Sequence, residues 1–447
     1  MTKKVEKYYM IGIGGIGMSA IASYLLLSGS RIFGYDKVNS KIVKRLINKG
    51  AKIIFSNELG LIPKEVLDGK TIIIYSAAIS KENKQLIFFK KHKYKMFKRS
   101  EFLSKLTNNS FCIAVSGTHG KTTTSGILTH LFLQNRVQFT SLIGGLLSDK
   151  KTNMVCTGNK YIIVEADEYD KSFLHLNPAI ACITSIDVDH MDIYKDSEDI
   201  KKTFIKFSKL ISKSLIVEKS LGLKGKTYSI KQKADYYVKN ISCCKNGYEF
   251  DLYSPELKIE NVFFNQIGKH NLSNAVAAFA MASEAGLDQK KSAKGLSNFP
   301  GIERRLQIVY NKKNKVLIDD YAHHPIEIKA FYKALQENFP KEGKCVFFQP
   351  HLFSRTRDFM NQFAKVLEYF DRIYLLEIYP ARELPIDGIN SEKLGSLIKR
   401  RNVMVIKKNQ ILDIVKNVEE RVVSFLGAGD IGNEIDSVKN YFNSLRL

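Results

Sequence analysis

Short apolar runs separated by polar, helix-compatible stretches recur along most of the chain. Residues 7–13 and 32–35 read as strands with a helix over 18–28 between them; 52–55 and 71–75 are further strands, with helices over 41–49 and 84–93. Strands that alternate with helices point to a parallel sheet with helices on its faces. The polar stretch Thr107-Asn108-Asn109-Ser110 interrupts the pattern, and an apolar run at 111–115 with a helix over 123–133 restarts it. Strands at 161–164 and 179–186 follow. Residues 227–264 alternate weakly and read as a small antiparallel annex, and an Ala-rich helix covers 275–286. Alternation begins a third time with a strand at 315–318. The pattern predicts an α/β protein of three domains, 1–108, 109–308 and 309–447. The first and last are Rossmann-like, and the central one is a P-loop-type domain with a parallel sheet and the annex.

Polar residues gather where these strands end. The run 111–115 feeds Gly117-Thr118-His119-Gly120-Lys121-Thr122-Thr123, the strand, glycine loop and helix order of a phosphate cradle for ATP or GTP. Lys121 would meet the β- and γ-phosphates and the Thr122 hydroxyl would face Mg²⁺. Val115 stands where the general pattern has its first glycine. The loop needs no side-chain packing, so Lys121→Ala is expected to abolish activity and leave the fold intact. Upstream, Gly12, Gly14, Gly15 and Gly17 precede a helix, and Asp36 closes the next strand 19 residues after Gly17. That is the fingerprint of a diphosphate-containing ligand, with a carboxylate for ribose hydroxyls. Downstream, Glu165, Asp167, Glu168 and Asp170 follow one strand and Asp187-Val188-Asp189-His190-Met191-Asp192 follow another. Carboxylates at a strand end beside a phosphate loop are hard oxygen ligands for Mg²⁺. Asn271 and Asn274 either cap the Ala-rich helix or contact an adenine edge.

Composition changes this picture little. Lys and Arg number 69 against 45 Asp and Glu, a net charge of +24 spread over 447 residues, which reads as a solvated Lys-rich surface or as attraction for anionic ligands. A nucleic-acid-stimulated ATPase would need a basic stripe with interleaved aromatics, and none is visible. Six cysteines without C-x-x-C spacing read as reduced residues of a cytoplasmic protein. Lys3, Lys4 and Lys7 precede a largely apolar stretch at 10–27, in the manner of a signal peptide or span, but its glycines fall at the spacing of a strand-to-helix turn. No targeting segment is expected.

Seven motifs in order resemble those of the Mur ligases of peptidoglycan synthesis. They are Gly12-Ile13-Gly14-Gly15-Ile16-Gly17-Met18-Ser19, Gly117 to Thr123, Glu165-Ala166-Asp167-Glu168, Asp189-His190-Met191-Asp192, His270-Asn271-x-x-Asn274, Asp319-Asp320-Tyr321-x-His323-His324-Pro325 and Gly427-Ala428-Gly429-Asp430-Ile431. The resemblance covers nearly the whole chain. It implies a UDP-sugar, and not NAD, at Gly14, Gly15, Ile16, Gly17, Asp36 and Ser76. It implies ATP at Gly117, Thr118, His119, Gly120, Lys121, Thr122, Thr123, Asn274, Arg305 and Asp320, with Lys121, His190 and Arg305 catalytic. Mg²⁺ would be held by Thr122, Glu165 and His190, and the amino acid by His324, His351, Arg355 and Arg382. The implied activity is the ATP-dependent joining of L-alanine to the lactyl carboxylate of UDP-N-acetylmuramate in the cytoplasm, by way of an acyl phosphate. The expected partners are small molecules only, with no nucleic acid, no membrane insertion, and a monomer or weak homodimer. Two positions depart from the family's usual pattern: Tyr169 replaces a serine in the acidic motif, and Leu352 stands where many members carry arginine. The competing readings are a murein peptide ligase acting on the same nucleotide sugar and an NAD-dependent oxidoreductase built on Gly12 to Asp36.

Overall fold

A computed structural model describes residues 5–108, 110–187, 194, 196–312, 314–381, 383–400 and 402–444. Three sheets form among them. The first is wholly parallel, in the order β3 (Lys52–Ile54), β2 (Arg31–Tyr35), β1 (Lys7–Ile11), β4 (Ile72–Tyr75), β5 (Met96–Lys98). Its helices are α1 (Ile16–Leu27), α2 (Lys41–Asn48), α3 (Lys84–Lys91) and α4 (Arg99–Thr107). Strand β1 ends two residues earlier than its apolar pattern suggests, because Gly12 turns the chain at φ +80°. Ile11 pairs with Tyr35 on one side and Tyr75 on the other. Gly12, Asp36 and Ser76 therefore leave the sheet side by side, at the switch point where open α/β sheets bind ligands.

The second sheet has ten strands. From β6 (Phe111–Ser116) the chain passes through α5 (Lys121–Gln134), the hairpin β7 (Phe139–Leu147) and β8 (Thr152–Cys156), then β9 (Tyr161–Glu165), β10 (Ile180–Ile183), α6 (Ser197–Ser208), β11 (Ser214–Glu218) and β12 (Lys226–Ser229). Strands β13 (Tyr236–Cys244), β14 (Gly247–Tyr253) and β15 (Lys258–Phe264) follow, then α7 (Lys269–Glu284) and α8 (Gln289–Gly295). The strand order is β15-β14-β13-β12-β11-β10-β6-β9-β7-β8. The stretch expected as an annex joins the central sheet. Tyr228 and Ser229 pair in parallel with Tyr236 and Tyr237, which continues the central ladder outward. The hairpin β7–β8 has no counterpart in the sequence reading.

The third sheet runs β16 (Gln307–Lys312), β17 (Lys315–Asp320), β21 (Val422–Leu426), β18 (Lys344–Phe348), β19 (Arg372–Leu376), β20 (Val403–Ile406). Between its strands lie α9 (Pro325–Asn338), α10 (Phe353–Leu367), α11 (Ser391–Leu397) and α12 (Ile411–Val415), and α13 (Ile435–Ser444) closes the described chain. Only β16 is antiparallel; its three apolar residues, Ile308, Val309 and Tyr310, lie between polar ones and have no counterpart among the expected strands. Leu426 pairs with both Asp320 and Phe348, so Tyr321, Gln349 and Gly427 also emerge side by side.

By contact density the chain forms two units. One holds residues through 240 with 250–263 and 273–300, and the other holds 241–249, 264–272 and 301 onward. In the first unit the first two sheets share an apolar core. Tyr8, Met10, Met18, Ile21 and Leu25 belong to the same buried cluster as Cys112, Ala114, Leu142, Val164 and Phe204. The sequence of α1 explains this. It is apolar around its whole circumference, with Met18 through Ser23 and Leu25 buried, so one sheet face cannot cover it. Its outer side packs on β7 and β8. This accounts for the span-like stretch at 10–27, and among the described residues no helix is long and apolar enough to cross a membrane. All six cysteines are free.

Candidate active site

Strand β6 is buried between β9 and β10, with Val115 opposite Glu165 and Ser116 opposite Ile183. That register delivers the glycine loop beside the acids that follow β9 and beside Thr184 and Ser185 after β10. Gly117 and Gly120 take φ of +131° and +84°. A Cβ on Gly117 would collide with Thr184, and one on Gly120 with the Asn274 carboxamide, so close approach as well as torsion demands glycine at both. The loop is pinned by side chains that the sequence reading did not single out. Ser185 Oγ lies 2.9 Å from Thr118 Oγ1 and accepts from the His119 N–H at 2.9 Å, and Thr184 Oγ1 donates to the His119 carbonyl at 2.5 Å. Their only sequence signal is position, directly after an apolar strand. His119 Nε2 also faces Asp187 at 3.8 Å. Thr123, in the first turn of α5, is buried.

Lys121 reaches back across the loop. Its ammonium donates to the Gly117 carbonyl at 2.6 Å and to both Glu168 oxygens at 2.7 and 2.8 Å. Burial alone would lower its pKa, but the carboxylates of Glu168, Asp167 and Glu165 outweigh that and hold it above the ordinary lysine value. Lys121 is thus charged at any physiological pH. The Glu168 side chain is 1% exposed, so the expectation that Lys121 can be removed without disturbing packing needs correction. Next to it, Thr122 Oγ1 donates to Glu165 Oε2 at 3.2 Å, while Ser125 Oγ and the Gly144 N–H donate to Glu165 Oε1 at 3.0 and 2.5 Å. These donors fix the carboxylate's orientation. Glu165 and the Thr122 hydroxyl are hard oxygen donors set side by side, a combination that fits Mg²⁺. His190, the third expected metal ligand, lies outside the described residues.

In the first sheet Gly14, Gly15, Ile16 and Gly17 form the turn into α1. The Gly14 N–H donates to Asp36 Oδ2 at 2.7 Å, and Asp36 Oδ1 accepts from the Val38 N–H at 3.0 Å. Asp36 therefore braces the turn as well as facing the switch point. Ser76 caps the end of β4, its N–H bonded to the Ile11 carbonyl at 3.1 Å and its hydroxyl accepting from Ala78 at 3.2 Å. Asn271 donates to the Ile267 carbonyl at 2.9 Å, a local helix-end bond.

In the second unit the predicted residues also stand at strand ends. The carboxyl of Asp320 is buried and accepts from the N–H groups of Leu306 at 2.5 Å and Ala322 at 2.7 Å. Burial pushes its pKa up to about 7 against the opposing pull of Arg305. The Arg305 guanidinium lies 5.1 Å over the Tyr321 ring. His324 caps α9, accepting from the Ile326 N–H at 3.3 Å and meeting the Phe359 ring edge-on at 4.6 Å. His351 stacks on Tyr379 at 5.7 Å. Arg355 is half-buried in the first turn of α10, and Arg382 lies outside the described residues. Leu352, just before α10, has φ +70°, a conformation that favours glycine. Its N–H donates to Tyr379 at 2.9 Å, so the position is set by backbone geometry as well as by its side chain. The sequence reading missed Arg304, which donates to the carbonyls of Gly427 and, at 3.1 Å, Gly429, and pairs with Asp319 at 3.5 Å. It also missed Gln349, whose amide bonds Asp430 at 2.8 Å and the Ile431 N–H at 3.0 Å.

Three α/β sheets, with a phosphate loop at the switch point of the second, define a three-domain α/β enzyme fold of the phosphate-loop kind. Family models match all three regions: the Mur ligase family catalytic domain at residues 7–111, the Mur ligase middle domain at 115–282 and the Mur ligase glutamate ligase domain at 304–429. The chain belongs to the Mur ligase family. It is 42% identical over 439 residues to UDP-N-acetylmuramate–L-alanine ligase of Christiangramia forsetii, covering 97% of each chain. The protein of that name from Flavobacterium psychrophilum is 43% identical, with 98% of each covered. Among solved structures, UDP-N-acetylmuramate-alanine ligase from Thermotoga maritima shares the fold with a TM-score of 0.82 at 24% identity, over 98% of this chain and 99% of that one. A murein peptide ligase from Psychrobacter arcticus shares it with a TM-score of 0.71 at 18% identity, over 99% and 100%.

Proposed function

We propose that this chain joins L-alanine to the lactyl carboxylate of UDP-N-acetylmuramate, converting ATP to ADP and phosphate. The observation that carries the reading is Lys121, held charged between the Gly117 carbonyl and Glu168 in the same compact unit as the glycine turn of the first sheet. Relatives that carry this activity in their names match the chain nearly end to end. The reaction must bring two anions together. The substrate carboxylate attacks the γ-phosphorus, the bond to the ADP oxygen breaks, and an acyl phosphate forms. The alanine amine then adds to the acyl carbon, and the tetrahedral intermediate expels phosphate as the nitrogen loses its proton. Lys121 offsets the repulsion in the first step, and the loop amides hold the phosphates in line. Mg²⁺, held by Thr122, Glu165 and His190, would supply the remaining charge neutralisation. Asn274, Arg305 and Asp320 would contact the nucleotide, with Arg305 also stabilising charge in transfer. Gly14 to Gly17, Asp36 and Ser76 would carry the nucleotide sugar. His324, His351, Arg355 and Arg382 would take the amino acid, with an arginine fork on its carboxylate. A cytoplasmic monomer or weak homodimer acting on small molecules fits these substrates.

The test is ADP release by purified protein with each component omitted in turn. Turnover should require UDP-N-acetylmuramate, ATP and L-alanine together. If the peptide L-alanyl-γ-D-glutamyl-meso-diaminopimelate supports turnover and L-alanine does not, the murein peptide ligase reading replaces this one.

A further inference from the structure

One cation near the site belongs to neither the phosphate loop nor the glycine turn. Arg99 opens α4, directly after β5, and its guanidinium lies on the open face of Gly17 in the first turn of α1. A Cβ on Gly17 would stand 2.6 Å from Arg99 Nη1 and 3.3 Å from its Cζ. From there Nη2 donates to Asp167 Oδ2 at 3.3 Å. Arg99 thus touches the glycine turn at one end and the acidic cluster of the phosphate loop at the other. All of these residues lie in the first unit.

We infer that Arg99 is a positioning residue that exchanges partners during the cycle. It is held by Asp167 when the nucleotide sugar is absent, and it passes to an anionic group of that substrate when it binds. The inference rests on the proposed function for the identity of the substrate. Three observations support the exchange. The Arg99 and Asp167 side chains are 29% and 36% exposed, and a half-exposed pair of this kind contributes little to stability, so giving it up costs little. Among the described residues the contact is one long hydrogen bond and not a two-pronged fork, which leaves other guanidinium N–H groups to a second anion. Asp167 Oδ1 is meanwhile held by the Tyr169 N–H at 3.2 Å, so the carboxylate stays in place when the arginine leaves.

The exchange couples the two substrates. With Arg99 gone from Asp167, the cluster of Glu165, Asp167 and Glu168 gains one uncompensated negative charge beside Lys121 and becomes a better seat for metal-bound nucleotide. By linkage, metal-bound nucleotide held near Asp167 releases Arg99 and tightens the nucleotide sugar by the same factor.

Calorimetric titration of UDP-N-acetylmuramate, with and without Mg²⁺ and a non-hydrolysable ATP analogue, tests this. Wild type should bind the sugar nucleotide more tightly when the analogue is present. Arg99→Ala should weaken sugar-nucleotide binding at least tenfold while the KM for ATP moves less than threefold, and Arg99→Lys should recover part of the loss. Asp167→Asn should bind the sugar nucleotide more tightly than wild type without the analogue, and should lose most of the analogue's effect. If Arg99→Ala misfolds, Arg99→Lys and Asp167→Asn decide. Binding in the arginine variants within twofold of wild type, or an unchanged analogue effect in Asp167→Asn, overturns the inference. A wild-type protein that does not bind UDP-N-acetylmuramate at all fails the functional reading instead.

Discussion

The phosphate loop of the first unit and the strand ends of the second divide their contacts differently between side chains and backbone. Around the loop, polar and charged side chains mostly hold one another: Lys121 with Glu168, Thr122 with Glu165, Arg99 with Asp167. At the strand ends they chiefly hold backbone, beside the pairs Arg304 with Asp319 and Gln349 with Asp430. Asp320 takes two N–H groups, Arg304 two carbonyls, and the Gln349 amide an N–H of the loop after β21. A side chain paired with another side chain can change partner when a ligand arrives. One committed to backbone cannot do so without undoing the turn it supports. The first arrangement is a set of exchangeable contacts and the second is a frame.

The largest effect that should separate the two is at Lys121. Lys121→Ala should lower ligation by roughly 10³-fold or more, since it removes the cation that offsets repulsion in the transfer step. It should also cost roughly 3–5 kcal/mol of stability, because Glu168 is left buried without its main cation. Adding Glu168→Gln should restore most of the stability and none of the activity, measured by urea titration and ADP release. Recovery of activity in the double variant would break the assignment of Lys121 to phosphate.

Arg304→Ala should act on the frame. Loss of its carbonyl contacts should cost about 2–3 kcal/mol of folding stability, read as a shift in the urea midpoint of the second unit. A variant with an unchanged midpoint and abolished activity would move Arg304 from the frame to the chemistry and erase the contrast drawn above.

A smaller effect is expected at Glu165. Glu165→Gln should raise the Mg²⁺ concentration for half-maximal activity by roughly tenfold. The replacement keeps the volume but turns an acceptor into a donor facing Ser125 or Gly144. An unaltered magnesium titration would show that this strand end does not hold the metal.

The smallest effect is a pH dependence confined to the frame. Burial raises Asp319 to about 6 and Asp320 to about 7, against the pull of Arg304 and Arg305. The unfolded chain releases these protons near pH 4, so over the interval from about 4 to 7 the folded state binds more protons than the unfolded one. Stability of the second unit should therefore fall as pH rises through that interval, by at most about 1.4 kcal/mol per pH unit for each group. Asp320→Asn should flatten the profile. Stability that instead rises from pH 5 to 8 would mean that the hydrogen bonds to Asp320 outweigh its burial.

Much of this was legible before the structure. The alternation of strands and helices, the two glycine turns and the acids after β9 follow from period and position, because each apolar run must end where its sheet ends. The strand β16 was not legible, since its apolar run is only Ile308-Val309-Tyr310 between polar residues, and pairing with β17 sets its course. The pinning of the loop by Thr184 and Ser185 was hidden as well. It depends on β10 lying beside β6, a neighbour relation that nothing local to residue 184 announces. Arg99 and Arg304 escaped notice for a related reason. Each is one arginine among many, and only its partners in the fold mark it out, Gly17 and Asp167 for Arg99 and Gly427, Gly429 and Asp319 for Arg304.

The shared core beneath α1 bears on how this enzyme can be taken apart. A Rossmann-like sheet invites treatment as a cassette to be expressed alone or grafted onto a relative with another amino-acid preference. Here the cassette's first helix is greasy on the side that faces its neighbour, and Asn153 of β8 donates to Ile16 and Ser19 across that seam. A chimera joined at the polar stretch near residue 108 would inherit half of an interior. A recipient must bring its own β7–β8 hairpin, shaped to this helix, or the graft presents a sticky surface to water. A cut after residue 300 keeps both halves of that interior on one piece, although it parts 241–249 and 264–272, Ile267 among them, from the second unit with which they cluster.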